Sequence, residues 1–324
     1  MRKALTWIAA ALAAALAALF VFGPYEPVVT DVAVEAPPED LDAWLAAREA
    51  DVADLRADEA ARILWAGAPG ARTETAIVYV HGYSAGVQEI RPVPDRMAEM
   101  LGANLYLPRL SGHGRGGDAM AEPAVEDWAR DMAEAMAVGR RLGERVIVVG
   151  TSTGGTLAAV LAADPAMAPH REGLAGVAFI APNFRVAAPA ARLLSLPAAR
   201  HWAGLVAGEA RSFDPVNAAH GRHWTTAYPT VALLPMQALV DHAAGLDYAA
   251  VDLPALFRFD PEDAVVDHGA TEAVAADWGG PVAVQRVETA EGDDPYNHVI
   301  AGDILSPGAT GPTVGALVAW AQGL

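Results

Sequence analysis

The chain has 324 residues, 53% of them apolar, and a formal net charge of −18. That length holds one large domain or two small ones, and the apolar content fills a sizeable core. So acidic a chain is repelled by phosphate backbones, which excludes nucleic acid as a partner; the absence of cysteine excludes disulfides, thiolate metal sites, cysteine nucleophiles and a lipidated N-terminal cysteine.

The chain opens on the basic Met1-Arg2-Lys3 and runs through residues 4–22 with Thr6 as the one polar residue. As a helix these nineteen residues reach about 28 Å, close to the hydrocarbon thickness of a bilayer. The run ends in Phe20-Val21-Phe22-Gly23-Pro24, a poor small-x-small cleavage site. The expectation is an uncleaved signal anchor over residues 1–23, with the basic end cytoplasmic and the rest on the periplasmic side. The alternative is secretion after signal cleavage.

Residues 24–38 are rich in proline and acids and read as an extended spacer. Residues 39–61 carry Leu41, Trp44, Leu45, Val52 and Leu55 near helical spacing, and residues 63–66 read as an early edge strand. Residues 24–60 are therefore expected to be linker and pre-domain helix, with one domain over 61–324. Ala76-Ile77-Val78-Tyr79-Val80 is continuously apolar, as in a strand covered on both faces, and runs into His81-Gly82-Tyr83. A second strand, residues 104–107, leads to Gly112-His113-Gly114-Arg115-Gly116-Gly117. This matches GxGxxG literally, but a dinucleotide fingerprint must open a helix straight after a strand, and here a loop follows. A helix is expected over residues 125–142.

Val146-Ile147-Val148-Val149 then enters Gly150-Thr151-Ser152-Thr153-Gly154, with an alanine-rich helical pattern behind it. Strand, sharp turn and helix around GxSxG are the context of a nucleophile elbow, which exposes a serine hydroxyl at a helix N-terminus.

Beyond the elbow, residues 176–183 read as a buried strand. Residues 184–252 break the strand–helix alternation and carry His201, His220, His223 and His242. Their spacing matches no metal-ligand pattern, so they are read as polar residues of a surface. Residues 253–260 resume the core as a strand, followed by Asp260, Asp263 and Asp267 as competing carboxylates. Residues 281–287 form the last strand. A polar loop then reaches His298, and residues 313–321 read as a terminal helix. His268 precedes that last strand, so element order favours His298 for an elbow enzyme.

These motifs, in this order over residues 60–324, resemble the α/β-hydrolase family, most nearly its bacterial carboxylesterases and monoglyceride lipases. The resemblance implies a mostly parallel central sheet flanked by helices, with residues 184–252 as a helical cap. It implies a triad of Ser152, Asp263 and His298. Asp263 is preferred over Asp267 and Asp260 because the family places its acid a few residues past the strand and before a Val-Val pair. Backbone N–H groups of Tyr83 and Thr153 become the oxyanion donors, and His81 shapes the loop. No cofactor and no metal are implied. The expected activity is hydrolysis of carboxylic esters with apolar or lipid-like acyl groups, with contact to a membrane through the N-terminal helix. Alternatives are a peptidase or amidase of the same fold and a non-catalytic anchored binding protein. The elbow departs from many relatives in reading Thr-Ser-Thr, which bears on pocket shape.

Overall fold

The computed structural model describes residues 2–324; Met1, where the basic N-terminal segment begins, lies outside the described residues. In chain order the elements are α1 (Arg2–Phe22), α2 (Leu41–Ala50), β1 (Arg62–Leu64), β2 (Thr73–Val80), α3 (Val93–Leu101), β3 (Asn104–Leu107), α4 (Val125–Leu142), β4 (Gly143–Thr151), α5 (Thr153–Ala163) and β5 (Leu174–Ile180). They continue with α6 (Ala199–Ala207), β6 (Ala210–Ser212), α7 (Ala218–His223), β7 (Ala227–Pro229), α8 (Leu233–Ala243), β8 (Ala255–Phe259), α9 (His268–Asp277), β9 (Val282–Arg286) and α10 (Pro307–Ala321).

Seven strands form one sheet in the order β1-β3-β2-β4-β5-β8-β9. β1 is antiparallel to β3, and every other pair is parallel. Parallel neighbours need crossover helices, which cover both faces, so the central strands are apolar throughout. Alternation along β2 sends Ala76, Val78 and Val80 into one core with Trp128, Met132 and Met136 of α4 and Leu157 and Leu161 of α5. It sends Ile77 and Tyr79 into the other, with Met97 of α3 and Leu317 and Val318 of α10. From β2 the chain winds outward to β3, then returns across β2 to β4. The strand order therefore reverses between β2 and β4, and the crevice at their C-terminal ends is where open parallel sheets place their sites.

Between β5 and β8 the chain inserts α6, α7 and the antiparallel pair β6–β7; α8 follows, with Leu239, Val240 and Ala243 buried in the same core as α4 and α5, and serves as the crossover helix of the parallel β5–β8 pair. α2 stops at Ala50, short of the helix read over 39–61: a turn follows, with Asp54 at φ 55°. α10 begins at Pro307, earlier than residue 313, because proline is tolerated in a helix's first turn.

α1 has mean hydropathy 2.3 over Leu5–Phe22 with none of that window buried; it is long and apolar enough to cross a membrane. The extended spacer behind it packs on the body. Ala198 N–H donates to Pro24 O at 2.7 Å, Thr30 Oγ1 donates to Asp164 Oδ2 at 2.8 Å, and His170 Nε2 lies 2.9 Å from Val32 O.

Candidate active site

One residue separates β4 from α5, and it is Ser152. Its φ of 50° and ψ of −117° lie where L-residues rarely go, at a cost of about 1–3 kcal/mol. The surroundings hold it there. Ser152 N–H donates to Ile180 O at 3.0 Å, and Ser152 O accepts Thr156 N–H at 3.1 Å and Asn183 N–H at 3.0 Å. The turn is tight enough to need glycine on both sides: a Cβ on Gly150 would stand 2.5 Å from Gly154 O, and one on Gly154 would fall on Val80 O. Thr153 is the first residue of α5, so its N–H has no acceptor within the helix and lies at the positive end of the helix dipole.

β2 ends at Val80, beside β4 in register with Gly150. The loop that follows is buried at His81, whose Nε2 accepts Leu110 N–H at 3.1 Å while Nδ1 faces Gly82 O at 2.9 Å. Nδ1 therefore carries the ring proton. Burial pushes the His81 pKa down to about 4, so this imidazole is neutral and shapes the loop. Gly82 abuts Ser152: a Cβ there would meet Ser152 Cβ at 3.1 Å. Tyr83 comes next, its ring edge-on to His113, Trp128 and Tyr228. Thr225 N–H of the insertion donates to Ser84 O at 2.7 Å, tying the insertion to this loop.

The structure brings Asp263 and His298 together. Asp263 Oδ2 lies 2.8 Å from His298 Nδ1. Its Oδ1 accepts the N–H groups of Val265 at 2.8 Å and Val266 at 2.9 Å, so the carboxylate cannot turn away. The backbone that carries the imidazole is held as well: Asp294 Oδ2 accepts the main-chain N–H groups of His298 at 3.1 Å and Val299 at 2.7 Å. Burial disfavours the imidazolium, but Asp263, Glu89 and Asp294 outweigh it, and the His298 pKa lies above the ordinary histidine value. An imidazole with Nδ1–H turned to a carboxylate leaves Nε2 to accept a proton.

The competing residues have other work. Asp260 accepts Glu262 N–H at 2.8 Å and Thr289 N–H at 2.7 Å, bracing the chain after β8. Asp267 accepts Gly269 N–H at 2.9 Å at the start of α9 and pairs with Arg185 at 2.8 Å. His268 stacks on Phe259. Between β5 and β8, His223 Nδ1 lies 2.6 Å from Glu59 Oε1, His242 Nε2 lies 2.6 Å from Asp164 Oδ2, and His220 accepts Val216 N–H. Among the described residues no three His, Asp or Glu side chains are grouped to hold a metal. Among the buried acids that escaped the reading of the sequence are Glu59, Glu89 and Asp294. The signal for Glu89 is an acid lodged between Val87 and Ile90, both fully buried.

A family model described as serine aminopeptidase, S33, matches residues 71–285. The chain belongs to this family. The part that matches the serine aminopeptidase S33 family takes in Tyr83, Ser152, Thr153 and Asp263, and ends before His298. The thermostable monoacylglycerol lipase of Bacillus sp. (strain H-257) is 26% identical over 199 residues, covering 61% of this chain and 74% of that protein. Among solved structures, that of LipS and LipT, two metagenome-derived lipolytic enzymes, matches with TM-score 0.64 at 20% identity, over 81% of this chain and 98% of that one. The monoacylglycerol lipase of Paleococcus ferrophilus matches with TM-score 0.58 at 15% identity, over 80% and 98%. A soluble variant of the Saccharomyces cerevisiae monoglyceride lipase matches with TM-score 0.56 at 10% identity, over 80% and 90%. This S33 family member therefore has the α/β-hydrolase fold.

Proposed function

We propose that this chain hydrolyses carboxylic esters with apolar acyl groups through an acyl-enzyme on Ser152. The observation that carries the reading is the buried Asp263–His298 pair, 2.8 Å apart, in a fold whose elbow presents Ser152 between β4 and α5. His298 Nε2 takes the proton of the Ser152 hydroxyl as its oxygen attacks the ester carbonyl, and Asp263 holds the tautomer and stabilises the imidazolium. The Tyr83 and Thr153 N–H groups receive the oxyanion. The imidazolium protonates the departing alcohol, and water then frees the acid by the same steps in reverse roles. Relatives named as lipases and the apolar α1 support a lipid-derived substrate met at a membrane. In this reading α1 stays as an anchor and holds the hydrolase domain outside the cytoplasm. Cleavage of a signal there, releasing the domain, is the alternative.

The family description favours one other reading, cleavage of peptides or amides. A chain-length series of 4-nitrophenyl esters run against matched anilides and aminoacyl amides separates the two. Ester turnover that rises with acyl length and vanishes in S152A supports esterase action. Wild-type turnover by S152A, or preference for aminoacyl amides, overturns it. A wild-type chain that a fluorophosphonate probe fails to label would be a binding protein on a hydrolase fold.

A further inference from the structure

Seven residues past Gly82 the chain buries a carboxylate that the acyl-transfer scheme leaves idle. Glu89 is 2% exposed. Its Oε2 accepts Gly82 N–H at 2.8 Å and the Tyr79 hydroxyl at 2.7 Å. The Tyr79 oxygen lies 3.3 Å from Thr151 Oγ1, on the residue before the nucleophile. Glu89 Oε1 stands 2.7 Å from the point a Gly82 Cβ would occupy, the same point that lies 3.1 Å from Ser152 Cβ.

The histidine loop docks on this segment too. Asp303 N–H donates to Arg91 O at 3.0 Å. Gly302, at φ +92°, is pressed so closely that a Cβ there would meet Ile90 Cα at 2.5 Å and Glu89 O at 3.0 Å. One short stretch of chain thus holds the loop before Tyr83 on one side and the loop of His298 on the other.

Burying a carboxyl group costs several kcal/mol unless its surroundings favour the charge. Glu89 has two hydrogen-bond donors and an imidazole that becomes cationic during acyl transfer. We propose that Glu89 is a positioning residue for this reaction: it fixes the His81–Gly82 peptide, next to the Tyr83 N–H that serves as an oxyanion donor, and it serves beside Asp263 as a second carboxylate favouring the His298 imidazolium. The inference rests on the reading of Ser152 and His298 given above. The carboxylates acting on His298 come from three places: Asp263 after β8, Asp294 on the histidine's own loop, and Glu89 after β2. Burial pushes the Glu89 pKa up, opposed by Tyr79, Gly82 N–H and His298. The charge on Glu89 and the charge on His298 therefore favour one another.

Two variants of the full chain separate charge from reach. E89Q keeps an oxygen for Gly82 N–H and loses the charge. Its kcat should fall about tenfold with KM within about twofold, and the acidic limb of kcat/KM should move to lower pH by about half a unit, because a carboxylate that raised the His298 pKa has gone. E89D keeps the charge and withdraws by one methylene. Its kcat should also fall about tenfold while the acidic limb stays at the wild-type position. A folded E89Q with wild-type kcat or an unmoved limb overturns the role. Should E89Q fail to fold, E89D decides: wild-type kcat, or a limb displaced to lower pH, overturns it. Fluorophosphonate labelling of the wild type keeps the two levels apart. No labelling, or turnover by S152A, removes the underlying reading; normal labelling with a silent E89Q removes only the role of Glu89.

Discussion

Asp263 grips two backbone N–H groups with one oxygen and His298 with the other. Oδ1 is committed to Val265 and Val266, and Oδ2 to the imidazole at 2.8 Å. Acid and histidine stand 35 positions apart with β9 between them, so the sheet itself sets their approach. In D263N an amide group replaces the carboxylate. If its oxygen stays with the two N–H donors, its NH₂ faces Nδ1 and turns the ring to the tautomer with Nε2–H, which cannot take the serine proton. We expect kcat to fall by about three to four powers of ten with little change in KM. Steady-state kinetics on the purified variant checks this, and a loss below about tenfold would remove Asp263 from the mechanism.

In the proposed reaction His298 must be neutral to act as base. Its pKa is held above the ordinary value: burial pulls it down, but Asp263, Glu89 and Asp294 together push it up further. As pH falls the raised pKa is reached sooner, so activity is lost from the alkaline side of about 6.5, the ordinary histidine value. The kcat/KM profile for a neutral ester should therefore reach half of its plateau above that pH. The same shift has a stability consequence of opposite sense. The raised pKa favours the folded state below the unfolded histidine value, and that contribution fades as pH rises through the folded value. A kinetic limb well below pH 6 would contradict the carboxylate cage.

The backbone at Ser152 predicts a trade between activity and stability. Neither S152A nor S152G retains the hydroxyl, so both should be inactive and unlabelled by fluorophosphonates. They differ in what φ 50° and ψ −117° cost them. Alanine suffers the Cβ clash and glycine does not, a difference of about 1–2 kcal/mol offset in part by glycine's larger unfolded-state entropy. S152G should be the more stable of the two by about 1 kcal/mol in urea denaturation. Equal stabilities would mean that the elbow stores no strain.

What the sequence revealed and what it hid divides by how local the physics is. The elbow was legible because everything it needs lies in a dozen consecutive residues: β-branched strand, glycines at Gly150 and Gly154, alanine-rich helix. The sheet was legible because parallel strands are apolar on both faces. Asp263 and His298 were picked by motif order, since no local rule joins residues 35 apart. Little beyond the apolar Val87 and Ile90 marks Glu89 locally, because its partners are Gly82 seven residues back and, much further along the chain, the loop of His298. The pairing of Glu59 with His223 spans 164 residues and leaves no local trace. The spacer's composition points to an extended chain, but composition is silent on whether such a chain finds a groove. This one does, through Thr30, Val32 and Pro24.

That groove can be tested at Asp164, where the strap behind α1 meets the body. Its Oδ2 accepts Thr30 Oγ1–H at 2.8 Å and faces His242 Nε2 at 2.6 Å, while Oδ1 accepts Ala166 N–H at 2.9 Å. Burial acts to raise its pKa, but the Ala166 N–H, His242 and Thr30 outweigh burial and hold it below the usual aspartate value. A depressed pKa stabilises the fold above the unfolded value of about 4, and that stability drains away as pH falls through the folded value. D164N keeps one acceptor oxygen and loses the charge, so it should cost about 1–2 kcal/mol at pH 7. The gap between variant and wild type should narrow by pH 3, which lies below the unfolded value of about 4 and so has already removed part of that contribution. T30V removes one hydrogen bond and should cost about 1 kcal/mol at pH 7. Urea midpoints at the two pH values read all three chains. If D164N matches the wild type at pH 7, or if its deficit persists undiminished at pH 3, the charge on Asp164 is not what clasps the strap.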